Sequence, residues 1–311
     1  MNRLMKELKK RFEEAVDRNR GDGILFSGGL DSALVASCSR NSRAVSIGLN
    51  PRSEDQFYAG AVARYLNLDH QYIDVSTNEA LAAVPEVIRT LRSFDPAVPN
   101  DVAVYLGLKY AKDMNIQTMM TGDGSDEIFA GYSFMMEIKE LDQYLSRMHS
   151  SMQFNSNRIG RELGIAIKQP FLDNEFMKFG RDIDLQYKIR NEKGKIWGKW
   201  ILRKAFEGVL PKEILWQSKR PLESGSGMSR LRDVITSIVS DLEFEEGKKV
   251  YPVRFWNKEH FYYYLIYREV VGDIPPPKDG QKRCVCCGGG MAPDAFHCRI
   301  CGEVTEWRST N

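Results

Sequence analysis

From residue 20 to residue 132 short apolar runs alternate with helix-patterned stretches, and this alternation limits the fold more than any other feature of the chain. Ile24-Leu-Phe26, Ala44–Leu49, Gln71–Val75 and Thr118–Thr121 read as strands. Around them Ser32–Cys38, Glu54–Leu66, Leu81–Arg92 and Val102–Met114 carry helical patterning. Strands separated by helices at this spacing build βαβ units, and those require a parallel sheet. Ahead of them Leu4, Leu8, Phe12 and Val16 recur every fourth residue, which predicts an amphipathic helix over 1–19. After Gly131 no comparable strand is evident, and residues 134–270 read as largely helical, with an aromatic helix over Phe255–Val270. Ile274-Pro-Pro-Pro277 cannot continue a helix and reads as a stiff linker, letting the Cys- and Gly-rich tail fold as a separate unit. The expected organisation is α/β: a sheet-bearing core over 20–132, a helical part over 133–273, a linker over 274–283 and a small module over 284–311.

Composition narrows the function classes. With 311 residues, 42% of them hydrophobic, the chain can bury a sizeable core. Forty-four basic and 42 acidic residues leave a formal +2, which argues against a dedicated non-specific nucleic-acid binder. No apolar run reaches the roughly 18 residues of a membrane helix. Met1-Asn-Arg-Leu-Met-Lys-Glu7 lacks the apolar stretch of a signal peptide. The expected compartment is the cytoplasm, where thiols stay reduced.

The sharpest local signal is Ser27-Gly28-Gly29-Leu30-Asp31-Ser32, between a strand and a helix. Glycines admit phosphate oxygens to backbone N–H groups, hydroxyls add donors, and a helix N-terminus favours negative charge. It is not the P-loop of GxxxxGK[ST] type, because lysine and spacing are both wrong. A carboxylate inside a phosphate loop would repel its ligand without an intervening cation, so Asp31 implies a metal, with Mg²⁺ favoured. The bland alternative is a Gly-Gly turn with an Asp at a helix start. Thr121-Gly122-Asp123-Gly124-Ser125-Asp126-Glu127 follows the fourth strand and should reach the same carboxyl edge of the sheet. Its alternative reading is a solvated acidic loop.

Taken together these segments resemble the pyrophosphatase-loop ATP-binding (adenine nucleotide alpha hydrolase-like) family, and specifically the synthetase domain of asparagine synthetases and β-lactam synthetases. Further matches are Gly131-Tyr132, Gln169-Pro-Phe-Leu-Asp173, Lys199–Phe206 with Leu210-Pro211, and Lys219-Arg-Pro-Leu-Glu-Ser-Gly225. The aromatic helix near Tyr262–Glu269 is also similar, so the resemblance spans roughly residues 1–273. It implies an enzyme that binds ATP·Mg²⁺, lets a carboxylate attack the α-phosphorus, releases pyrophosphate, and passes the acyl group from AMP to nitrogen. On that basis Ser27, Gly28, Gly29 and Ser32 would hold pyrophosphate, with Gly122 completing the site. Asp31 and Asp126 would hold Mg²⁺, and Leu49 would grip adenine through its backbone. Lys219 would be catalytic, stabilising the α-phosphate or the oxyanion, and Asp123 is the second catalytic candidate.

Departures from the family are informative. Asn2 stands where glutamine-dependent members carry a catalytic Cys after Met, so free ammonia, an amine or a nitrogen-supplying protein partner is expected instead. Ala166-Ile-Lys168-Gln169 replaces the usual Glu-x-Arg-x before Pro170, which puts aspartate as the activated acid in question. Asp123 stands for a frequent Glu, and Leu222 for the usual Phe of the lysine loop.

Cys284-x2-Cys287-Gly288 and Cys298-x2-Cys301-Gly302 form two knuckles. Four thiolates suit a structural Zn²⁺ site, with iron the less favoured occupant. Cys286 is the spare sulfur, and Cys38 reads as packing rather than a nucleophile. Residues 278–311 hold five Lys/Arg and four Asp/Glu, so by count the ribbon has no basic face. The leading expectation is an AMP-forming carbon–nitrogen ligase acting on a small carboxylate. The rival is a tRNA-modifying enzyme that adenylates a base for thiolation or amidation, and it is not favoured because thiolation generally needs cysteines near the nucleotide. A non-catalytic ATP-binding scaffold fits poorly with intact Asp31, Asp126 and Lys219.

Overall fold

The computed structural model describes residues 1–39, 41–49, 53–192 and 194–305. Its centre is a five-stranded parallel sheet ordered β3-β2-β1-β4-β5. The strands are β1 (Gly23–Leu25), β2 (Arg43–Leu49), β3 (His70–Val75), β4 (Thr118–Met120) and β5 (Ala166–Lys168). Helices of the first half are α1 (Asn2–Arg18), α2 (Leu30–Cys38), α3 (Glu54–Leu66), α4 (Thr77–Leu91), α5 (Val98–Asp113) and α6 (Ser125–Phe129). The second half adds α7 (Leu141–Ser151), α8 (Asn155–Leu163), α9 (Asn174–Asp182), α10 (Leu185–Lys188) and α11 (Trp200–Ala205). A hairpin, β6 (Arg190–Glu192) with β7 (Lys195–Trp197), precedes α11. The last helices are α12 (Lys212–Leu215), α13 (Leu222–Gly225), α14 (Leu231–Ile238), α15 (Asp241–Val250) and α16 (Lys258–Val270). Among the described residues no helix is long and apolar enough to cross a membrane.

The four strands read from sequence are present. The fifth was not anticipated: Ala166–Lys168 is only three residues and becomes a strand by pairing in parallel with Thr118–Met120. The expectation of no strand after Gly131 is corrected accordingly, as it is by the β6–β7 hairpin. The aromatic helix begins three residues later than expected because Asn257 caps it, its Oδ1 accepting from the His260 N–H at 2.8 Å.

Two apolar layers sandwich the sheet. On one side α1 buries Leu8, Phe12, Ala15 and Val16. Phe12 meets Phe171 at 4.5 Å and Phe176 at 5.1 Å between ring centroids, fixing the Pro170–Asp173 turn. Asp173 accepts the Arg18 guanidinium at 2.7 and 3.0 Å and the Phe176 N–H at 3.2 Å, so this motif acid holds the fold together. The other layer joins β2, α4, α5 and α16.

The C-terminal module belongs to that second layer. Strands β8 (Lys282–Arg283) and β9 (Gly290–Met291) form its hairpin. The Phe94 N–H donates to the Ile300 carbonyl at 2.7 Å, and the Arg254 N–H donates to the Cys286 carbonyl at 3.1 Å. Its four paired cysteines, Cys286 and Met291 are buried against the aromatic face of α16. The expectation of a separately folding unit is corrected: the helix has already ended at Val270, and the prolines beyond it do not hold the module away from the core. Residues 306–311 of its expected range lie outside the described residues.

Candidate functional site

The sheet order reverses between β1 and β4, so the loops after these two strands diverge around a crevice at the carboxyl edge, where open α/β sheets bind ligands. The loop after β1 is Ser27–Gly29. Ser27 Oγ accepts from the Gly29 N–H at 3.2 Å and lies 3.3 Å from Ser32 Oγ, which donates to the Gly29 carbonyl at 3.2 Å. Gly28 has φ +69°, and a Cβ there would meet the Ala59 backbone nitrogen at 2.3 Å. Only glycine lets the loop cross α3 so closely. Gly29 begins α2, whose N-terminus therefore faces the loop.

The loop after β4 carries the acids. Gly122 passes so near α2 that a Cβ would lie 2.8 Å from Asp31 Cβ, which brings Asp126 toward Asp31. Ser125 Oγ donates to Asp31 Oδ1 at 2.7 Å. Two cations complete the cluster. Lys199 Nζ lies 2.7 and 2.6 Å from the Asp31 oxygens and 2.8 Å from Asp126 Oδ1. Lys219 Nζ donates to Asp126 Oδ2 at 2.6 Å. Gly131 is required here because a Cβ would stand 2.1 Å from both Asp126 Oδ1 and Lys199 Cε.

Burial alone would raise the Asp126 pKa, but Lys199 and Lys219 override it and hold the carboxyl at about 2. Conversely, burial opposes the charge on Lys219, yet Asp126 and Asp31 push its pKa above the ordinary lysine value. Both groups are ionised at neutral pH. The donor set fits Mg²⁺ in kind: two hard carboxylates, Asp31 and Asp126, converge on one point, which Lys199 Nζ occupies here.

Lys219 sits on a segment fastened to α3 by its neighbour. Arg220 stacks over Tyr58 at 3.9 Å and donates to Glu54 at 3.1 Å and to Gln217 at 3.1 Å. It also lies 3.7 Å from Asp55, whose carboxyl is pushed up to about 7 by burial, with Arg220 opposing the rise. Ser27, Asp31, Ser32, Lys199, Lys219 and Arg220 are among the residues lining one cleft.

Two candidates stand apart from this cluster. Asp123 Oδ2 accepts from Thr121 Oγ1 at 2.7 Å, Ser156 Oγ at 2.6 Å and Gln169 Nε2 at 2.9 Å, so three donors hold it on the β5 side. Leu49 is not open to a base in this conformation. Its N–H donates to the Ser226 carbonyl at 2.7 Å, its carbonyl accepts from Arg230, and it does not line the cleft. In this conformation the segment after α13 fills the backbone hydrogen bonds of Leu49.

The reading of the sequence quoted Lys199 within a motif but assigned it no role. A buried lysine in the left-handed conformation (φ +54°) before a helix has no local signature, and only its spatial neighbours reveal it. Asp55 and Arg220 were missed for the same reason.

In the ribbon, the Cys284, Cys287, Cys298 and Cys301 sulfurs all lie within 4.8 Å of one another. Sγ separations of 3.6 Å (Cys284–Cys301) and 3.8 Å (Cys287–Cys298) match the ~3.8 Å tetrahedral edge that Zn–S bonds of about 2.3 Å demand. Gly288 and Gly302 adopt positive φ and close each knuckle, as the spacing anticipates. The cluster is consistent with a zinc ribbon. Cys286 is not one of the four, and its thiol donates to the Arg254 carbonyl at 3.3 Å. Cys38 is half-buried with its thiol pushed up to about 12 by burial, an inert setting.

Fold and site together define a parallel-sheet, nucleotide-loop protein of the pyrophosphatase-loop type. The family model "Asparagine synthase" matches residues 7–164 and 139–262, and the chain belongs to that family. It is 31% identical to a probable glutamine-hydrolysing asparagine synthetase of Dictyostelium discoideum, over 89% of this chain and 56% of that protein. It is 29% identical to the glutamine-hydrolysing asparagine synthetase of Zea mays, over 98% of this chain and 56% of the relative. With asparagine synthetase B of Escherichia coli the identity is 28%, over 91% and 56%. The chain thus spans about half the length of these relatives. Among solved structures, a U34-tRNA thiolase from Methanococcus maripaludis superposes with a TM-score of 0.31 at 14% identity, covering 94% of this chain and 84% of that one. That likeness bears on neither substrate nor mechanism.

Proposed function

We propose that the protein is an ATP-dependent carbon–nitrogen ligase that forms AMP and pyrophosphate, activating a small carboxylate and passing its acyl group to ammonia or an amine. One observation carries this reading: Asp31, Lys199, Asp126 and Lys219 form a continuous charged cluster where the loops after β1 and β4 meet.

A carboxylate oxygen of the acid bonds to the α-phosphorus, the α–β bridge breaks, and pyrophosphate leaves with the electron pair. Ser27, Ser32 and the Gly29 N–H supply donors to the departing pyrophosphate. Asp31 and Asp126 would hold Mg²⁺, which neutralises the charge that develops on the phosphate oxygens. Lys199, already bridging both carboxylates, keeps that charge balanced. Lys219 stabilises the α-phosphate in the first step and the oxyanion when nitrogen attacks the acyl carbon, after which AMP departs and the nitrogen loses its proton. Asp123, held on the β5 side by Thr121, Ser156 and Gln169, would be the acceptor of that proton. Ala166-Ile-Lys168-Gln169 lies on the same side, and its departure from the family pattern supports an acid other than aspartate. In the ribbon, four cysteines would hold one structural Zn²⁺, leaving no open position for chemistry.

The thiolating alternative lacks support among the described residues, since Cys38 is inert and Cys286 lies in the ribbon. The deciding experiment is ATP–pyrophosphate exchange against a panel of carboxylates, repeated with bulk tRNA. Exchange that depends on a small carboxylate supports the ligase. Exchange that depends only on tRNA, or ³¹P spectra showing ADP and phosphate, overturns it.

A further inference from the structure

Docking of the ribbon assembles a face that composition alone conceals. The Phe94 N–H and Ser93 Oγ donate to the Ile300 carbonyl at 2.7 and 3.2 Å, which brings Arg299 beside Arg92. Arg158 on α8 donates to the Thr90 carbonyl at 3.0 Å, and Arg161 lies one turn further along that helix. All four side chains are exposed. Some exposed arginines elsewhere are paired with acids, as in Arg18–Asp173, Arg20–Asp17 and Arg43–Asp69, while among the described residues others such as Arg3 and Arg64 stand singly. Among the described residues Arg92, Arg158 and Arg161 make no ion pair, although Arg89 nearby is bridged to Glu86. Burial, and then the like charges of Arg299 and Arg92, draw the Arg158 guanidinium below its ordinary value, with Asp101 opposing and Arg161 adding to the fall. Repulsion of this kind is relieved by an anion from outside.

We propose that Arg92, Arg158, Arg161 and Arg299 form a docking surface for the phosphodiester backbone of a single-stranded nucleic acid. Guanidinium forks match phosphate oxygens in bidentate geometry, and the cluster contains only arginines. The four arise from three separate elements and none lines the cleft of the phosphate loop. All four lie on open surface, whereas a small phosphate would need an enclosed pocket. The surface is also placed toward the site. On α8, two residues before Arg158, Ser156 donates to Asp123 at 2.6 Å. A strand on this face would run past the β5 side of the cleft. The proposal is independent of which acid the ligase activates.

The test uses the full chain and fluorescein-labelled uridine and thymidine homopolymers, with anisotropy read from low to physiological salt. Four phosphate contacts on a single strand predict a log–log salt slope of about −3. Arg158→Ala with Arg161→Ala should roughly halve that slope and weaken low-salt binding at least tenfold. Arg161→Gln alone should reduce the slope by about 0.7. Both residues are exposed and lie on α8 rather than beside the cysteines, so melting temperature and metal content should hold. Charge reversal on the far face, Arg20→Glu, should leave binding unchanged. Absence of low-salt binding, or an unaltered slope in the α8 variants, overturns the proposal. Displacement by millimolar inorganic phosphate would reassign the face to small phosphates, and equal competition by poly-glutamate would reassign it to an acidic protein. Either result also overturns it.

Discussion

Lys199 Nζ stands 2.6 and 2.7 Å from the two carboxylate oxygens of Asp31, and the same nitrogen reaches Asp126 Oδ1 at 2.8 Å. One buried ammonium thus separates the two acids that the loops after β1 and β4 bring together. Replacing it by Met would leave both carboxylates apposed, with Lys219 in contact and Arg203 farther off as counter-charges. Removing one partner from a buried charge cluster typically costs about 3–5 kcal/mol. Lys199→Met should melt at lower temperature than the parent, and Mg²⁺ without nucleotide should recover more of that loss than it adds to the parent. Equal responses to Mg²⁺ in both proteins would contradict a shared cation position.

Asp126 makes the acid limb of stability predictable. Its carboxyl is held at about 2 against an ordinary 3.8, so the folded state releases its proton more readily than the unfolded chain. The resulting stabilisation is present above the unfolded value and disappears as pH falls from about 4 toward 2. Asp126→Asn should be less stable than the parent at pH 6 and should approach it at the acid end. Melting curves across that range test the sign.

Lys219 is expected to act on the transition state more than on ground-state binding. In ATP–pyrophosphate exchange, Lys219→Ala should lose roughly two to three orders of magnitude in maximal rate, the usual scale for a preorganised electrostatic donor. ATP affinity should change little. A normal maximal rate with weakened ATP binding would make Lys219 only a nucleotide anchor.

How far the sequence carried these conclusions varied with the range of the interactions involved. Four strands were legible because Ile24–Phe26 and its counterparts are apolar runs bounded by turns, and the Ser27–Ser32 loop was legible because its chemistry is local. Ala166–Lys168 was not, since those residues are a strand only by virtue of β4 beside them. Lys199 escaped because its function resides in Asp31 and Asp126, distant in sequence. Leu49 was assigned an open backbone that Ser226 and Arg230 occupy, and the ribbon was read as independent because proline stiffness says nothing about what Ile300 and Cys286 will meet.

Asp55 gives the opposite pH dependence to Asp126. Burial pushes its carboxyl up to about 7, so the folded state holds a proton that the unfolded chain has already released. Stability therefore declines as pH rises from about 4 to 7, and the loss is complete above that. Asp55→Asn removes this slope. Its melting temperature relative to the parent should rise between pH 5 and pH 8, while Arg220, still stacked on Tyr58 and bonded to Glu54, keeps its loop in place. A constant difference across that range would show that Asp55 is charged throughout.

The ribbon should behave as part of the core. Cys284, Cys287, Cys298 and Cys301 are buried together with Cys286 and Met291 against α16, and the Ile300 carbonyl accepts both the Phe94 N–H and Ser93 Oγ. Truncation after Ile274 would expose this face and leave the Phe94 and Arg254 N–H groups without their carbonyl partners. Each buried donor left unpaired costs about 1–3 kcal/mol, before the lost apolar contact is counted. The truncated chain should melt well below the parent and show faster amide exchange in α4 and α16, with β1 and α2 less affected because α1, on the opposite layer, still covers them. A strong zinc chelator acting on the intact protein should reproduce the pattern, since four thiolates without their metal cannot share one site. Unchanged melting after truncation would show that the contacts at Ile300 and Cys286 add nothing to the stability of the domain.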